Sequence, residues 1–218
     1  MTTRLAVLIS GAGSNLQAIL DAERTGALDV EVVVVVCSRP TATGVSRAER
    51  VGVPTRVLSL KVFRERGADR GDYDSAVAEA LRPFEPELVV LAGWMHILGP
   101  EFLSRVRVPV LNLHPALPGE FPGTHAIERA HRAARQEGLA RTGVMVHHVV
   151  AEVDAGPVVL SEEIPLDPEE SLDALEQRVH AVEHRLLVAA IGQVIGQGQS
   201  KGRAHAVELP LGLTNVKQ

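Results

Sequence analysis

The chain has a single cysteine, Cys37, in 218 residues. No intrachain disulfide can form, so a cross-linked secreted scaffold is excluded. Aromatic residues are scarce at 3%, while hydrophobic residues make up 45%. A core must therefore rest on Val, Leu, Ile and Ala. No apolar run approaches the ~20 residues that span a bilayer, so no membrane association is expected. Lys and Arg form no long run and the formal net charge is −5, which argues against a nucleic-acid-binding surface. The opening MTTRLAVLISGAGSN holds a short apolar segment, but it runs into Gly and Asn rather than a small-residue cleavage site. It reads as a first strand and not a signal peptide, and a cytoplasmic protein is expected. The length suits one domain, here residues 1–218 with a polar tail after about 200 that frays at its end.

What the sequence does contain is an alternation of buried strands and amphipathic helices. RLAVLIS (4–10), EVVVVVC (31–37), TRVL (55–58), PELVVLA (86–92) and VPVLNL (108–113) read as strands. Helical spacing marks residues 14–23, 45–51, 73–81 and 126–134, and one long helix over 169–194 steps through Leu172, Leu175, Val179, Val182, Leu186 and Ala190. Residues 142–150 and 158–163 are also strand-like. This order predicts an α/β, Rossmann-like, doubly wound and mostly parallel sheet with helices on both faces.

The first strand ends in SGAGSNLQAI. Gly11 and Gly13 ahead of a helix start let backbone N–H groups converge on an anion, and the helix dipole adds positive charge there. Ser14 and Asn15 are expected as caps and further donors. A tight strand-to-helix turn would need the same glycines without any ligand. A dinucleotide site fits poorly. The third glycine of G-x-G-x-x-G is Leu16, and no carboxylate closes the second strand, although Arg39 would suit a 2′-phosphate. A single phosphate on a smaller substrate suits the turn better.

Ligands of parallel sheets bind beyond the carboxyl ends of the strands. Asn112 and His114 stand there, and alternation places both side chains on one face. Pro115 keeps His114 extended. An amide and an imidazole so placed can stabilise an oxyanion and move a proton. Their charge partner is expected to be Asp154, in AEVDAGPVV between the last two strands, with Glu152 as the nearest rival. A neighbouring carboxylate would raise the histidine pKa and favour the imidazolium. Taken singly, a strand-end histidine and a turn aspartate need no catalytic role; the case depends on the three together.

These residues carry a resemblance. ISGAGSNLQAI, LAGWMHILGPEF, NLHPAL and HHVVAEVDAGPVV, spread over nearly all of the chain, resemble the phosphoribosylglycinamide formyltransferases of the formyltransferase superfamily. The resemblance implies a formyltransferase domain that moves a formyl group from 10-formyltetrahydrofolate, its co-substrate, to the amine of glycinamide ribonucleotide in purine biosynthesis. It implies His114 as general acid and oxyanion partner. Asn112 would hold the formyl oxygen, and Asp154 would sustain the protonated imidazole and help a water relay the amine proton. Gly13, Ser14 and Asn15 would bind the substrate phosphate, and Glu183 the ribonucleotide. Arg70 aligns with an arginine near the folate formyl group. Met95, His96, Ile97 and Leu98 align with the pterin-binding segment, read largely through backbone; the family often has Arg at the place of His96. No metal is implied, no nucleic acid and no membrane, and a homodimer is allowed.

Within the superfamily the alternatives are another folate-dependent formyltransferase or a formyltetrahydrofolate hydrolase. The transfer-RNA enzyme carries an extra basic barrel for which this chain is too short and too acidic. The hydrolase carries an N-terminal regulatory domain, whereas the first strand here begins at residue 4. A different class is raised by HAVEH (180–184), the inverted zinc-protease pattern. Such a site also needs a third ligand and an open position, and only Glu208, in a short polar tail, follows as an acidic residue. A binding module without chemistry gives no reason for Asn112, His114 and Asp154 to occur together. Of the remaining residues, Cys37 and Trp94 are expected to pack. One of His147 and His148 should face the site. His125 and His131 should lie on the surface or in loops. One departure from the family stands out. HPSLLPxFxG is usual, and here the run is HPALPGEFPG, with proline one place earlier and Glu120 expected near an anionic substrate.

Overall fold

The computed structural model describes residues 2–204. Seven strands, β1 (Thr3–Ile9), β2 (Val30–Cys37), β3 (Thr55–Val57), β4 (Leu88–Leu91), β5 (Val110–His114), β6 (Arg141–His148) and β7 (Val158–Pro165), join in one sheet. Their order is β3-β2-β1-β4-β5-β6-β7. The first five run parallel, β6 runs against them, and β7, antiparallel to β6, returns to their direction.

Continuous apolar strands form because both faces of the sheet are covered. Leu5, Val7 and Ile9 of β1 pack with Leu16 and Ile19 of α1 (Ser14–Thr25) and with Leu175, Val179 and Leu187 of α7 (Leu172–Ala204). The intervening Ala6 and Leu8 pack on the other face with Tyr73, Val77 and Leu81 of α4 (Arg70–Leu81) and Phe102 of α5 (Pro100–Arg105). Each leucine wholly removed from water contributes about 1.5–3 kcal/mol. β2 keeps the two faces in step by a register shift: Leu5 pairs with Val32 and Ala6 with Val34, leaving Val33 as the extra residue. The lone Cys37 is buried at the end of β2, and Trp94 is buried against the Tyr73 ring. Both pack as expected.

Several boundaries differ from expectation. α4 starts at Arg70 rather than Tyr73, because Asp69 and Asp72 form a reciprocal capping box. Two six-residue helices, α3 (Leu60–Glu65) and α5, are too short to show a period. α7 runs through Gly196 to Ala204; the tail expected beyond it lies largely outside the described residues. α2 (Gly44–Arg50) and α6 (Ala126–Glu137) complete the α-helices described. Among the described residues, no helix is long and apolar enough to cross a membrane.

β1 has β2 on one side and β4 on the other, so the strand order reverses there and a crevice opens beyond the carboxyl ends. The turn leaving β1 lies in that crevice. Gly13 has φ 71° and a Cβ there would come within 2.8 Å of the Gly44 Cα. Gly44 N–H donates to the Gly11 carbonyl (3.1 Å), so the turn and the start of α2 meet backbone to backbone.

Candidate active site

Asn112 and His114 lie on β5 two residues apart, and Asn112 sits opposite His147 of the antiparallel β6. The connection from β6 to β7 turns back to bring Asp154 to all three. The Asn112 amide nitrogen donates to Asp154 Oδ1 at 3.1 Å and lies 3.1 Å from His147 Nε2. His114 Nδ1 is 3.5 Å from Asp154 Oδ2, and Gly123 N–H donates to the same oxygen at 2.8 Å. Asp154, with φ 53°, takes a left-handed conformation that Asp adopts more readily than most residues. Gly156 is required nearby, because any side chain there would run into the His148 carbonyl. The motif VDAGP is thus a device for folding the loop back. The carboxylate at the cluster is Asp154; Glu152 lines the cleft beyond it.

Hydrogen positions follow from the partners. His147 Nδ1–H donates to the His148 carbonyl (2.9 Å), and its Nε2 faces both the Asn112 amide and, at 3.5 Å, Asp154 Oδ1. His147 is the histidine of the pair that faces the site, and it is 2% exposed. Both N–H groups of the Asn112 amide are then engaged within the cluster. His114 Nε2–H donates to the Phe121 carbonyl (3.1 Å).

The electrostatics correct one expectation. Asp154 does pull the His114 pKa up, but burial is the larger influence and leaves it below the ordinary imidazole value. Without ligand His114 is biased toward the neutral form. Burial alone would raise the Asp154 carboxyl; the His147 contact, the Gly123 N–H and the charge of His114 outweigh it and hold the group below the usual range.

The cluster lies in an open cleft enclosing about 920 Å³, solvent included. Met95, His96, Ile97 and Leu98 line one wall, with Met95 and Ile97 largely exposed. Val149, Val150, Ala151 and Val153, with Glu152 among them, line a further wall that sequence reasoning missed, since it takes Val149 and Val150 as the end of a strand. His96 is half-buried between the Tyr73 and Trp94 rings. Its pKa is lowered, first by burial and then by Arg70, Arg39 and Arg64. Arg70 does not line the cleft: its guanidinium donates to buried Asp74 (2.9 Å) and lies over the Tyr73 ring.

The glycine turn adjoins this cleft without lining it. Ser10 N–H donates to the Gly93 carbonyl (2.9 Å) and Met95 N–H to Ser10 Oγ (2.8 Å). The expected side-chain caps are absent. Gly13 is the N-cap, so Ser14 and Asn15 are already helical, and their backbone N–H groups belong to the first turn, which has no intrahelical acceptor. Asn15 instead donates to buried Glu183 (3.0 Å). His180 donates to the same Glu183 oxygen (2.9 Å), which raises the His180 pKa. HAVEH is therefore engaged with the turn through its glutamate. Among the described residues no group of three or more His, Cys, Asp or Glu side chains is placed to hold a metal, and Glu208 lies outside them.

The displaced proline has a defined outcome. Glu120 N–H donates to the Leu117 carbonyl (2.9 Å) across Pro118 and Gly119, the latter at φ 80°, as a turn with Pro then Gly at its centre prefers. The Glu120 carboxylate is 3.5 Å from Arg141 on β6 and is not among the groups lining the cleft. His125, exposed and at φ 58°, also lines the cleft, whereas His131 lies on α6 and donates to the Glu170 carbonyl.

The chain belongs to the formyl transferase family, whose profile matches residues 3–191. It is 47% identical over 203 residues to the phosphoribosylglycinamide formyltransferase of Schizosaccharomyces pombe, covering 89% of this chain and 98% of that protein. The Dictyostelium discoideum protein of the same name is 42% identical over 200 residues, covering 88% and 97%. The crystal structure of glycinamide ribonucleotide transformylase 1 from Geobacillus kaustophilus matches with a TM-score of 0.81 at 38% identity, covering 89% of this chain and 99% of that one.

Proposed function

We propose that this chain, acting in the cytoplasm as a single formyltransferase domain, transfers the formyl group of 10-formyltetrahydrofolate to the amine of glycinamide ribonucleotide. The observation that carries the reading is the convergence of Asn112, His114 and Asp154 in the cleft walled by residues 95–98. The amine attacks the formyl carbon and a tetrahedral oxyanion forms. Asn112 exchanges its contact with His147 for this oxygen, and His114, charged as the oxyanion develops, stabilises it. Asp154 offsets the imidazolium and, through a water, takes up the amine proton. The bond from carbon to N10 breaks as N10 takes a proton from the His114 imidazolium, and the amine proton held by Asp154 passes back to the imidazole, giving formylated ribonucleotide and tetrahydrofolate.

Met95, His96, Ile97 and Leu98 bind the pterin in this reading, with Arg70 acting from behind His96. Gly13, Ser14 and Asn15 hold the phosphate, and Glu183, fixed by Asn15 and His180, faces the ribose side. The half-buried Ser14 makes no cap bond, which leaves its hydroxyl for an anion. Ser14→Ala is expected to raise the Michaelis constant for the ribonucleotide about tenfold, the scale of one hydrogen bond to a charged group, with turnover near normal. An unchanged Michaelis constant with a lost rate would contradict the phosphate role. Calorimetry with the ribonucleotide and its dephosphorylated analogue checks binding without chemistry.

A further inference from the structure

Residues 117–123 connect β5 to the approach of α6; besides the Gly123 N–H on Asp154, three ties hold them. Arg129 of α6 donates to the Pro122 carbonyl (2.8 Å). Its guanidinium carbon stands 5.4 Å from the centre of the Phe121 ring, a cation–π contact. At the other end the Glu120 carboxylate pairs with Arg141, which also lies 3.7 Å from Glu163. Between these anchors Phe121 is held at φ 44°, a conformation uncommon for a bulky residue that persists only when its surroundings enforce it. That backbone turns the Phe121 carbonyl onto His114 Nε2 (3.1 Å).

We propose that Arg129 is a positioning residue for His114, clamping residues 117–123 so that the Phe121 carbonyl holds the Nε2 hydrogen of the imidazole. With Nε2 on that carbonyl, the ring turns Nδ1 to Asp154, so one contact sets both the orientation of the ring and the partner of each nitrogen. Both nitrogens then face oxygens in the ligand-free protein, so the ring is oriented before the reaction charges it. The charged and titratable groups facing His114 are Asp154 from the β6–β7 connection and His147 from β6; the loop contributes the peptide groups of Phe121 and Glu120. A carbonyl on Nε2–H favours the charged ring, so losing it lowers the proton affinity of His114. Glu120 and Arg141 brace the same loop from the side of the sheet. The proposal rests on the catalytic assignment of His114 for its effect on rate, but not for its effect on titration.

The test is the titration of His114 by imidazole NMR in ligand-free protein, assigned through a His114→Gln spectrum, alongside the pH profile of kcat/KM. In Arg129→Ala the His114 midpoint is expected to fall, and the alkaline limb of kcat/KM, which reports the free enzyme, to move to lower pH. Turnover near neutrality should drop about fivefold or more. Arg129→Lys should fall between the two, because it keeps a donor for Pro122 and loses the planar stack. Glu120→Gln, a milder change that spares α6, should shift the midpoint in the same direction. A His114 midpoint unchanged in Arg129→Ala and in Glu120→Gln would overturn the proposal, as would a shift in the opposite direction. If formyl transfer fails in the unaltered protein while the midpoint still falls, the functional reading is lost and the clamp stands.

Discussion

Replacing His114 by alanine is expected to lower kcat by at least ~100-fold, with both Michaelis constants within a few-fold of normal. General acid–base action contributes about 10²–10⁴ and an oxyanion donor about 10²–10³, and one imidazole here serves in both. The residue is 4% exposed at the end of β5, and shortening its side chain deletes contacts to Phe121 and Asp154. A thermal melt is therefore run beside the kinetics, so that lost rate is read on folded protein. Near-normal turnover would remove His114 from the chemistry.

Asp154→Asn is the second large effect, again at least ~100-fold in kcat, and it carries a signature that His114→Ala cannot show. The carboxylate draws the His114 pKa upward against burial. Its removal leaves burial opposed only by the Phe121 and Glu120 peptide contacts, so the midpoint falls further and the alkaline limb of kcat/KM moves to lower pH. The amide keeps the size of the side chain and one acceptor for Gly123 N–H, so the loop should stay in place. A lost rate with an unmoved pH profile would mean that Asp154 shapes the loop and does not set the charge of His114. Stability carries the same sign. A carboxyl held below its unfolded pKa stabilises the fold above that unfolded value, and this contribution fades as pH falls through the folded one. The unaltered protein should therefore lose more stability than Asp154→Asn when acidified through the carboxylate range.

Much of this molecule can be read from residue order. RLAVLIS and EVVVVVC announce strands covered on both faces, and they pair as parallel neighbours. The i, i+2 spacing of Asn112 and His114 and the extended conformation before Pro115 place both at the end of β5. Three features escape such reading, each for a physical reason. The reversal of direction at β6 depends on partners distant in sequence, and nothing in residues 142–150 encodes which way they run. His147 completes the cluster only through that antiparallel register, since its position opposite Asn112 is a property of the pair of strands. The lowered pKa of His114 is decided by depth: the carboxylate is visible in the sequence, but the burial that outweighs it is not. The shifted proline in HPALPGEFPG does signal a different turn, yet the Arg129 and Arg141 that hold it come from a helix and a strand further along the chain.

The central claim is tested most directly by incubating the purified protein with 10-formyltetrahydrofolate and glycinamide ribonucleotide, beside an identical reaction lacking the ribonucleotide. Tetrahydrofolate and formylated ribonucleotide should appear together in equal amounts, and the reaction without the amine should stay near background. Release of formate at a comparable rate without the ribonucleotide would make the chain a hydrolase, and inactivity in both reactions would contradict the account.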